Sequence, residues 1–476
     1  MSIPSLKYTV FFFLAAAGWY LLPRRIRRLW LLAAGLAFYA CTGVRYLPFL
    51  VGAALVAYGA GLATEARWLG KRRLWTVLGL IALLGTLFLC KYFNFFCGII
   101  LPGFAGLRLA LPPGLSFYCF GACAYLIDVY REKLRAERSV VDLAAFIAFF
   151  PVLLAGPVGR AREFLPQLKE PPAFDARRVR AGGMRFLQGM FKKLVVADSL
   201  GALVDAAYAD PAAVSGGAML VAVLAYSVQI YLDFSAYSDM AIGCAEMLGL
   251  RVTENFRAPY LSRSVREFWK KWHISLTDWF REYLYIPLGG SRKGKARTAL
   301  NVLIVFAVSG LWHGAAWTFI VWGLLNGAYQ VAGSLTQPLR HTLRAQLHIP
   351  EDACLTAFVQ GAVTFLLLTV AWVFFRAESL PQAVFIFKHI LLIVRDGFGV
   401  SSAALLLPRR RWILLIPTLL LCLWEDIRIA RGQRLPTERA AGLRYWGAAA
   451  ALLFAVALFG FYGSGIDARE FVYFRF

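Results

Sequence analysis

The 476 residues are 60% hydrophobic and only 16% charged, with a mean hydropathy of +0.62. An ordinary soluble domain, roughly 45–50% apolar and about a quarter charged, is thereby excluded. The formal charge of +24 does not point to nucleic acid, because the basic residues sit in short blocks between apolar runs: Arg24, Arg25, Arg27 and Arg28, then Lys71–Arg73, then Arg409–Arg411. Positive-inside loops meeting anionic headgroups are distributed in this way, whereas a nucleic-acid surface needs a folded basic module.

A helix needs roughly 20 apolar residues to cross the hydrocarbon. Candidate spans fall near 8–22, 29–42, 47–64, 75–100, 113–130, 141–156, 185–207, 216–250, 299–330, 355–375, 412–426 and 443–463, with a short apolar stretch at 384–394. The expected fold is all-α, a single polytopic integral membrane domain of roughly eleven to thirteen transmembrane or re-entrant helices. The first run ends at a basic block instead of a small-residue cleavage site, so it is expected to remain as a span. With Arg24–Arg28 cytoplasmic, Arg67–Arg73 and Arg131–Arg138 also fall inside, while Thr42–Arg45 and Phe95–Pro113 fall outside. The alternation then fails. The run 141–156 has basic residues at both ends and is broken by Pro151, Gly156 and Pro157. It reads as re-entrant or as two half-helices, which survive at membrane depth only beside protein or a water-filled cavity. No internal repeat is evident, which counts against a transporter of inverted halves.

Eight cysteines, Cys41, Cys90, Cys97, Cys119, Cys123, Cys244, Cys354 and Cys422, lie mostly in apolar runs without zinc-site spacing. They read as small packed hydrophobes, and no metal is expected. Of five histidines, His341 and His348 lie in a polar basic stretch and His389 at the edge of a short apolar run. His313 sits in SGLWHGAAW, midway along the run 299–330. An imidazole inside a membrane helix is a functional candidate by default, the plain alternative being a hydrogen bond to a neighbouring helix. Gly310 and Gly314 beside it form a small-xxx-small pair that admits another helix or a substrate chain.

His273 lies in VREFWKKWHISLTDWFREYLYIP, residues 265–287. Read as one helix, this segment puts Trp269, Trp272, Leu276, Trp279 and Tyr283 on one stripe. Arg266, Lys270, His273, Thr277 and Arg281 then fall on another. Two readings stand: an interfacial anchor with its aromatics in the headgroup zone, or a basic wall for an anionic or thioester-linked donor. The His273–Asp278 spacing, H-x4-D, is discounted because five residues of continuous helix turn through about 140°. The span 216–250 carries two polar stripes, Tyr226, Gln229, Asp233 and Tyr237, and Ser235, Asp239 and Glu246. Both must face protein or water, and packing or charge pairing to nearby arginines is favoured over direct catalysis. No nucleophile elbow, Walker loop, metalloprotease helix or dinucleotide fingerprint is present.

Tyr231–Asp239 (YLDFSAYSD), Phe268–Gly290 and Leu311–Gly327, with Phe150–Pro166, Gln188–Asp198 and Phe471–Phe476, resemble the membrane-bound O-acyltransferase family. The likeness is dense over about 145–330, the expected catalytic core. The run YIPLGGSRKG, Tyr285–Gly294, favours the branch that O-acetylates bacterial polysaccharides such as alginate over the related D-alanylation proteins. The resemblance implies His313 as catalytic base and His273 as the second histidine of an active-site funnel, orienting or polarising the donor thioester. It implies substrate contacts at Trp272, Lys270, Arg281, Trp312, Asp233 and Asp239. It also implies a central tunnel, a bacterial inner-membrane location and no tightly bound cofactor. Acetyl-CoA or another acyl thioester is the expected donor, and an extracytoplasmic polysaccharide or partner acetyltransferase the expected acceptor. Cys244 as a transient acyl carrier is the covalent alternative. D-alanyl transfer to teichoic acid, a transporter and a non-catalytic scaffold are the competing functions.

Overall fold

In hydrocarbon the backbone has no water to bond, so the apolar runs close into helices that satisfy their own N–H and C=O groups. The computed structural model describes residues 3–461 apart from 67–69, 102, 104–105, 108, 349, 351–352, 397–406 and 434–441, together with residue 471. The C-terminal motif beyond Phe471 and the basic residue Arg67 lie outside the described residues. Among the described residues the elements are helices, and five are long and apolar enough to cross a membrane: Val44–Glu65, Arg72–Ile100, Gly216–Met247, Gly294–His313 and Cys354–Arg376. Leu6–Leu21, Leu115–Tyr130 and Leu443–Phe459 are apolar but shorter. Large apolar side chains such as Leu55, Ile81, Phe358 and Leu366 are exposed on the long helices, as lipid-facing surfaces require. The chain is a multi-pass membrane protein.

Several expected spans are subdivided. The run 75–100 is α4 (Arg72–Leu87), a π-helical turn (Phe88–Tyr92) and α5 (Phe93–Ile100). The run 141–156 shortens to α7 (Val140–Ile147), followed by irregular backbone with Phe149, Phe150, Leu153 and Ala155 buried. Protein therefore surrounds this segment, as non-helical backbone at that depth needs. The run 185–207 becomes α9 (Ala176–Phe191), a π-helical turn (Lys192–Ala197) and α10 (Asp198–Ala209). The run 299–330 is not one helix. It is a hairpin of α14 (Gly294–His313) and α15 (Trp317–Leu335), turned at Gly314–Ala316.

The chain folds into two compact units, residues 1–189 with 237–254, and residues 190–236 with 255–472. The first contains α1 (Leu6–Leu21), α2 (Arg24–Ala40), α3 (Leu47–Glu65), α4, α6 (Leu115–Tyr130), α7, α8 (Ala161–Lys169) and α9. Its basic blocks gather at one end through ion pairs: Arg28–Asp142 at 2.6 Å, Arg138–Glu65 at 2.5 Å, Lys169–Glu137 at 2.8 Å and Arg162–Asp128 at 3.5 Å, with Arg72 on Glu132. These pairs join the blocks at Arg24–Arg28, Lys71–Arg73, Arg131–Arg138 and Arg160–Lys169 on a common side. α9 crosses the second half of α11 (Gly216–Met247) where Gly182 and Gly243 meet. A Cβ on either glycine would sit against the other's carbonyl oxygen. Arg185 then forks onto Glu254 with two 2.6 Å bonds and onto Asp239 at 3.0 Å.

The second unit contains α10, α12 (Val265–Lys271), α13 (Ile274–Phe280), the α14–α15 hairpin, α16 (Gln337–Gln346), α17 (Cys354–Arg376) and α18 (Leu380–Leu391). The hairpin closes on small residues. A Cβ at Gly310 would collide with the Phe319 carbonyl oxygen, and one at Gly323 with that of Phe306. The backbone approach expected at Gly310 is thus supplied by α15, while Gly314 is covered by the Phe319 ring. Gly310→Val should therefore push the two helices apart, costing about 1–3 kcal/mol. A fall in thermal midpoint together with lost activity is expected, and an unchanged midpoint would show that the crossing tolerates a side chain.

Candidate active site

The helix through residue 271 cannot continue, because His273 takes φ +44° in the left-handed region. This is a sparsely populated conformation for a non-glycine residue, and surrounding structure must impose it. Here a short backbone pairing does so. Arg257 N–H donates to Lys271 O at 3.0 Å, and Ile274 N–H donates to Asn255 O at 3.0 Å. Asn255 then faces the imidazole. Its Oδ1 accepts from Ser275 N–H at 3.3 Å and from Ser275 Oγ at 2.8 Å, and it lies 3.1 Å from His273 Nδ1. A backbone N–H can only donate, so the acceptor is the amide oxygen, and His273 Nδ1 must carry the hydrogen. Nε2 is consequently the ring's lone-pair nitrogen. His273 is 1% exposed and lies outside the long spanning helices, and burial pushes its pKa down to about 3. It is neutral at physiological pH.

His313 is the last residue of α14 and is buried. Its ring is held edge-on by Trp322 at 5.0 Å, Phe375 at 5.3 Å and the adjacent Trp312 at 5.0 Å between centroids. Trp312 also reaches His273, at 6.1 Å. One indole therefore stands beside both imidazoles, and Phe234 packs on the far histidine at 4.7 Å. The wall continues through Trp372, stacked on Trp322 at 5.6 Å and 5.1 Å from Trp272. Edge-to-face packing of this kind fixes ring orientation as well as burying area. The two histidines singled out in the sequence are brought into one aromatic cluster of the second unit, together with Trp272 and Trp312.

The helix break revises the reading of residues 265–287. Trp269, Trp272, Leu276, Trp279 and Tyr283 are buried in protein and form no headgroup-zone stripe. The basic stripe does not survive either. Lys270 and Arg281 are exposed, with Arg281 on Asp278 at 3.2 Å, while His273 turns inward because the chain changes direction beneath it. The continuous helix assumed for His273 and Asp278 is absent. Asp278 belongs to that surface pair, and His273 to Asn255. His341 and His348 are exposed, and His389 Nε2 lies 2.6 Å from Val214 O.

Two carboxylates of Gly216–Met247, Asp233 and Asp239, are engaged by cations. Asp233 takes a 2.7 Å bond from Lys193, which also reaches Asp198 at 2.9 Å, all three nearly inaccessible. Asp239 is on Arg185 in the first unit, where Cys244 accepts from Tyr8 Oη at 3.6 Å. Lys193, Asp198 and Arg185, which pair with these carboxylates, and Asn255, which faces His273, were not given individual roles in the sequence. The signal available was a lysine and a carboxylate placed inside apolar runs, where a lone charge is too unfavourable to persist.

A sequence profile described as MBOAT, membrane-bound O-acyltransferase family, matches residues 113–374, more than half of the chain, including both histidines. The chain belongs to the membrane-bound O-acyltransferase family. Its membership makes it an O-acyltransferase. It is 40% identical over 379 residues to the probable alginate O-acetylase AlgI of Pseudomonas syringae pv. tomato, covering 77% of this chain and 70% of that protein. It is 36% identical over 392 residues to the peptidoglycan O-acetyltransferase of Helicobacter pylori, covering 76% and 73%. The likeness to the teichoic acid D-alanyltransferase of Streptococcus thermophilus is 28% over 227 residues, covering 45% and 54%.

The tautomer of this O-acyltransferase's His273 can be tested directly. Asn255→Ala removes the acceptor that selects Nδ1–H, and a fall in rate of about tenfold or more is expected at unchanged membrane level. Asn255→Asp keeps an oxygen there but adds a charge that favours the imidazolium, so the pKa rises. The acid limb of the rate profile should then move to higher pH. In the wild type the unfolded chain binds this proton between roughly pH 6.5 and the lowered folded value, so stability should fall as pH drops through that window. An Asn255→Asp profile superimposable on wild type would remove His273 from the reaction.

Proposed function

We propose that the protein moves a small acyl group, acetyl in the first instance, from a cytoplasmic thioester to hydroxyls of an extracytoplasmic polysaccharide or to a partner transferase on that side. The observation that carries this reading is the pairing of two buried imidazoles around Trp312. The relatives' names support the acetyl donor and the polysaccharide acceptor, and the shorter match to D-alanyltransferases makes D-alanyl transfer the weaker reading. A bacterial inner membrane and a passage open to both faces go with this proposal.

An alcohol is a poor nucleophile until its proton is removed, and a positioned imidazole contributes about 10²–10⁴-fold by doing so. In the proposed step His313 takes the hydroxyl proton as the oxygen attacks the thioester carbonyl. The C–O bond forms, the C–S bond breaks, and the proton passes from the imidazolium to the departing thiolate. No covalent acyl-enzyme is needed, which leaves buried Cys244 a packing residue. His273 takes a different part from polarising a carbonyl. With Nδ1–H committed to Asn255, Nε2 accepts, so the ring orients an O–H or N–H of a bound substrate. Trp272 and Trp312 wall the site. Lys270 and Arg281, being exposed, serve donor phosphates only if these extend to the surface, and Asp233 and Asp239 act through their ion pairs.

The test is purified protein given acetyl-CoA and a hydroxyl-bearing polysaccharide. Free CoA thiol and an alkali-labile acetyl ester are expected in equal amounts. Thiol release without ester, or neither, would sink direct acetyl transfer to the polysaccharide.

A further inference from the structure

The first unit carries a groove that the acyl-transfer site does not use. It offers about 160 Å³ and is lined by apolar side chains alone, among them Leu32 and Leu36 of α2, Val51 and Leu55 of α3, and Val140 and Ala144 of α7. Water would find no hydrogen-bond partner there, so hydrocarbon is the natural filling. We propose that this groove and the arginines above it form a binding site for one anionic phospholipid, with an acyl chain between α2, α3 and α7 and the phosphate at Arg25 and Arg28.

The register of α2 supplies the headgroup site. Arg28 and Arg25 precede Leu32 by four and seven residues, and so share its helical stripe, one and two turns nearer the basic end. Arg28 uses Nη1 on Asp142 at 2.6 Å, yet its side chain is 37% exposed, and a guanidinium has five N–H donors. Arg25 is exposed. Arg24 and Arg27 add charge in the same turn, and Arg27 is held by the Leu22 and Tyr20 carbonyls. Asp142 is the acid paired within this cluster, which remains strongly positive. Further along α3, Tyr58 Oη donates to Arg138 O at 2.9 Å, and the Arg138 guanidinium is taken by Glu65. A choline or ethanolamine headgroup would bring a cation toward these arginines, whereas a phosphatidylglycerol headgroup would not. The charge therefore selects an anionic lipid, and the groove selects a chain.

The test is native mass spectrometry of the detergent-purified full chain, titrated with phosphatidylglycerol or phosphatidylcholine. One tightly retained phosphatidylglycerol per chain is expected. Arg25→Ala should weaken its retention about fivefold, the contribution of one basic residue near an anionic surface. Leu55→Trp on α3 and Val140→Trp on α7 alter exposed lining positions of the groove and should each displace the lipid while the protein stays monodisperse. Equal retention of both lipids would overturn the charge selection. Undiminished phosphatidylglycerol binding in both tryptophan variants would overturn the groove, leaving only headgroup adsorption to a basic surface.

Discussion

His313→Ala should lower O-acetyl incorporation into extracellular polysaccharide by about 10²–10⁴-fold, the range of a lost general base, at wild-type membrane levels. The residue closes α14 at the hairpin turn, its ring wedged among Trp312, Trp322 and Phe375. Truncation therefore also opens a small cavity, worth a few kcal/mol at most. His313→Gln separates the two effects, because it retains bulk and hydrogen-bonding capacity but cannot accept a proton. If Gln restores folding and not acetylation, the imidazole's basicity is what matters. If either variant acetylates at the wild-type rate, His313 is a packing residue, and a scaffold role for the protein becomes the reading to pursue. His273→Ala should be the milder change, since its neutral ring orients a substrate group in the proposed step and does not carry the proton.

The largest stability effect is expected at Lys193. Its ammonium is 1% exposed and lies 2.7 Å from Asp233 and 2.9 Å from Asp198, with the Phe471 ring 4.3 Å from Nζ. The π-helical turn at Lys192–Ala197 shifts the helix register locally, which is how such turns commonly re-aim a side chain. Lys193→Met deletes the cation and leaves two buried carboxylates facing one another. Breaking a buried pair in this way costs about 3–5 kcal/mol, so a large drop in thermal midpoint in detergent and a loss of membrane-inserted protein are expected. Adding Asp233→Asn to Lys193→Met should recover part of the loss by removing one stranded charge. A single variant as stable as wild type would mean that Lys193 is not the counter-charge of Asp233, reopening the latter as a substrate contact.

The helical class and the two histidines were legible in the sequence because they rest on local quantities, apolar run length and the cost of a polar group in hydrocarbon. The direction of each side chain was not. VREFWKKWHISLTDW keeps a helical period through residue 273, and the break comes from Asn255, eighteen residues upstream, which pairs with the segment and draws His273 into a left-handed turn. That contact erased the shared basic face of Lys270, His273 and Arg281. In the run 299–330, Gly314-Ala315-Ala316 hides a hairpin turn inside unbroken hydrophobicity. The partner of Asp233 lies forty residues away, and no periodicity links the two.

The most direct test of the account is trans-bilayer transfer in proteoliposomes, with labelled acetyl-CoA outside and polysaccharide enclosed, comparing wild type with His313→Ala. The expected result is label in an alkali-labile ester on the enclosed polysaccharide with wild type and background labelling with His313→Ala. Equal labelling by the two proteins would contradict imidazole-based acyl transfer at this site.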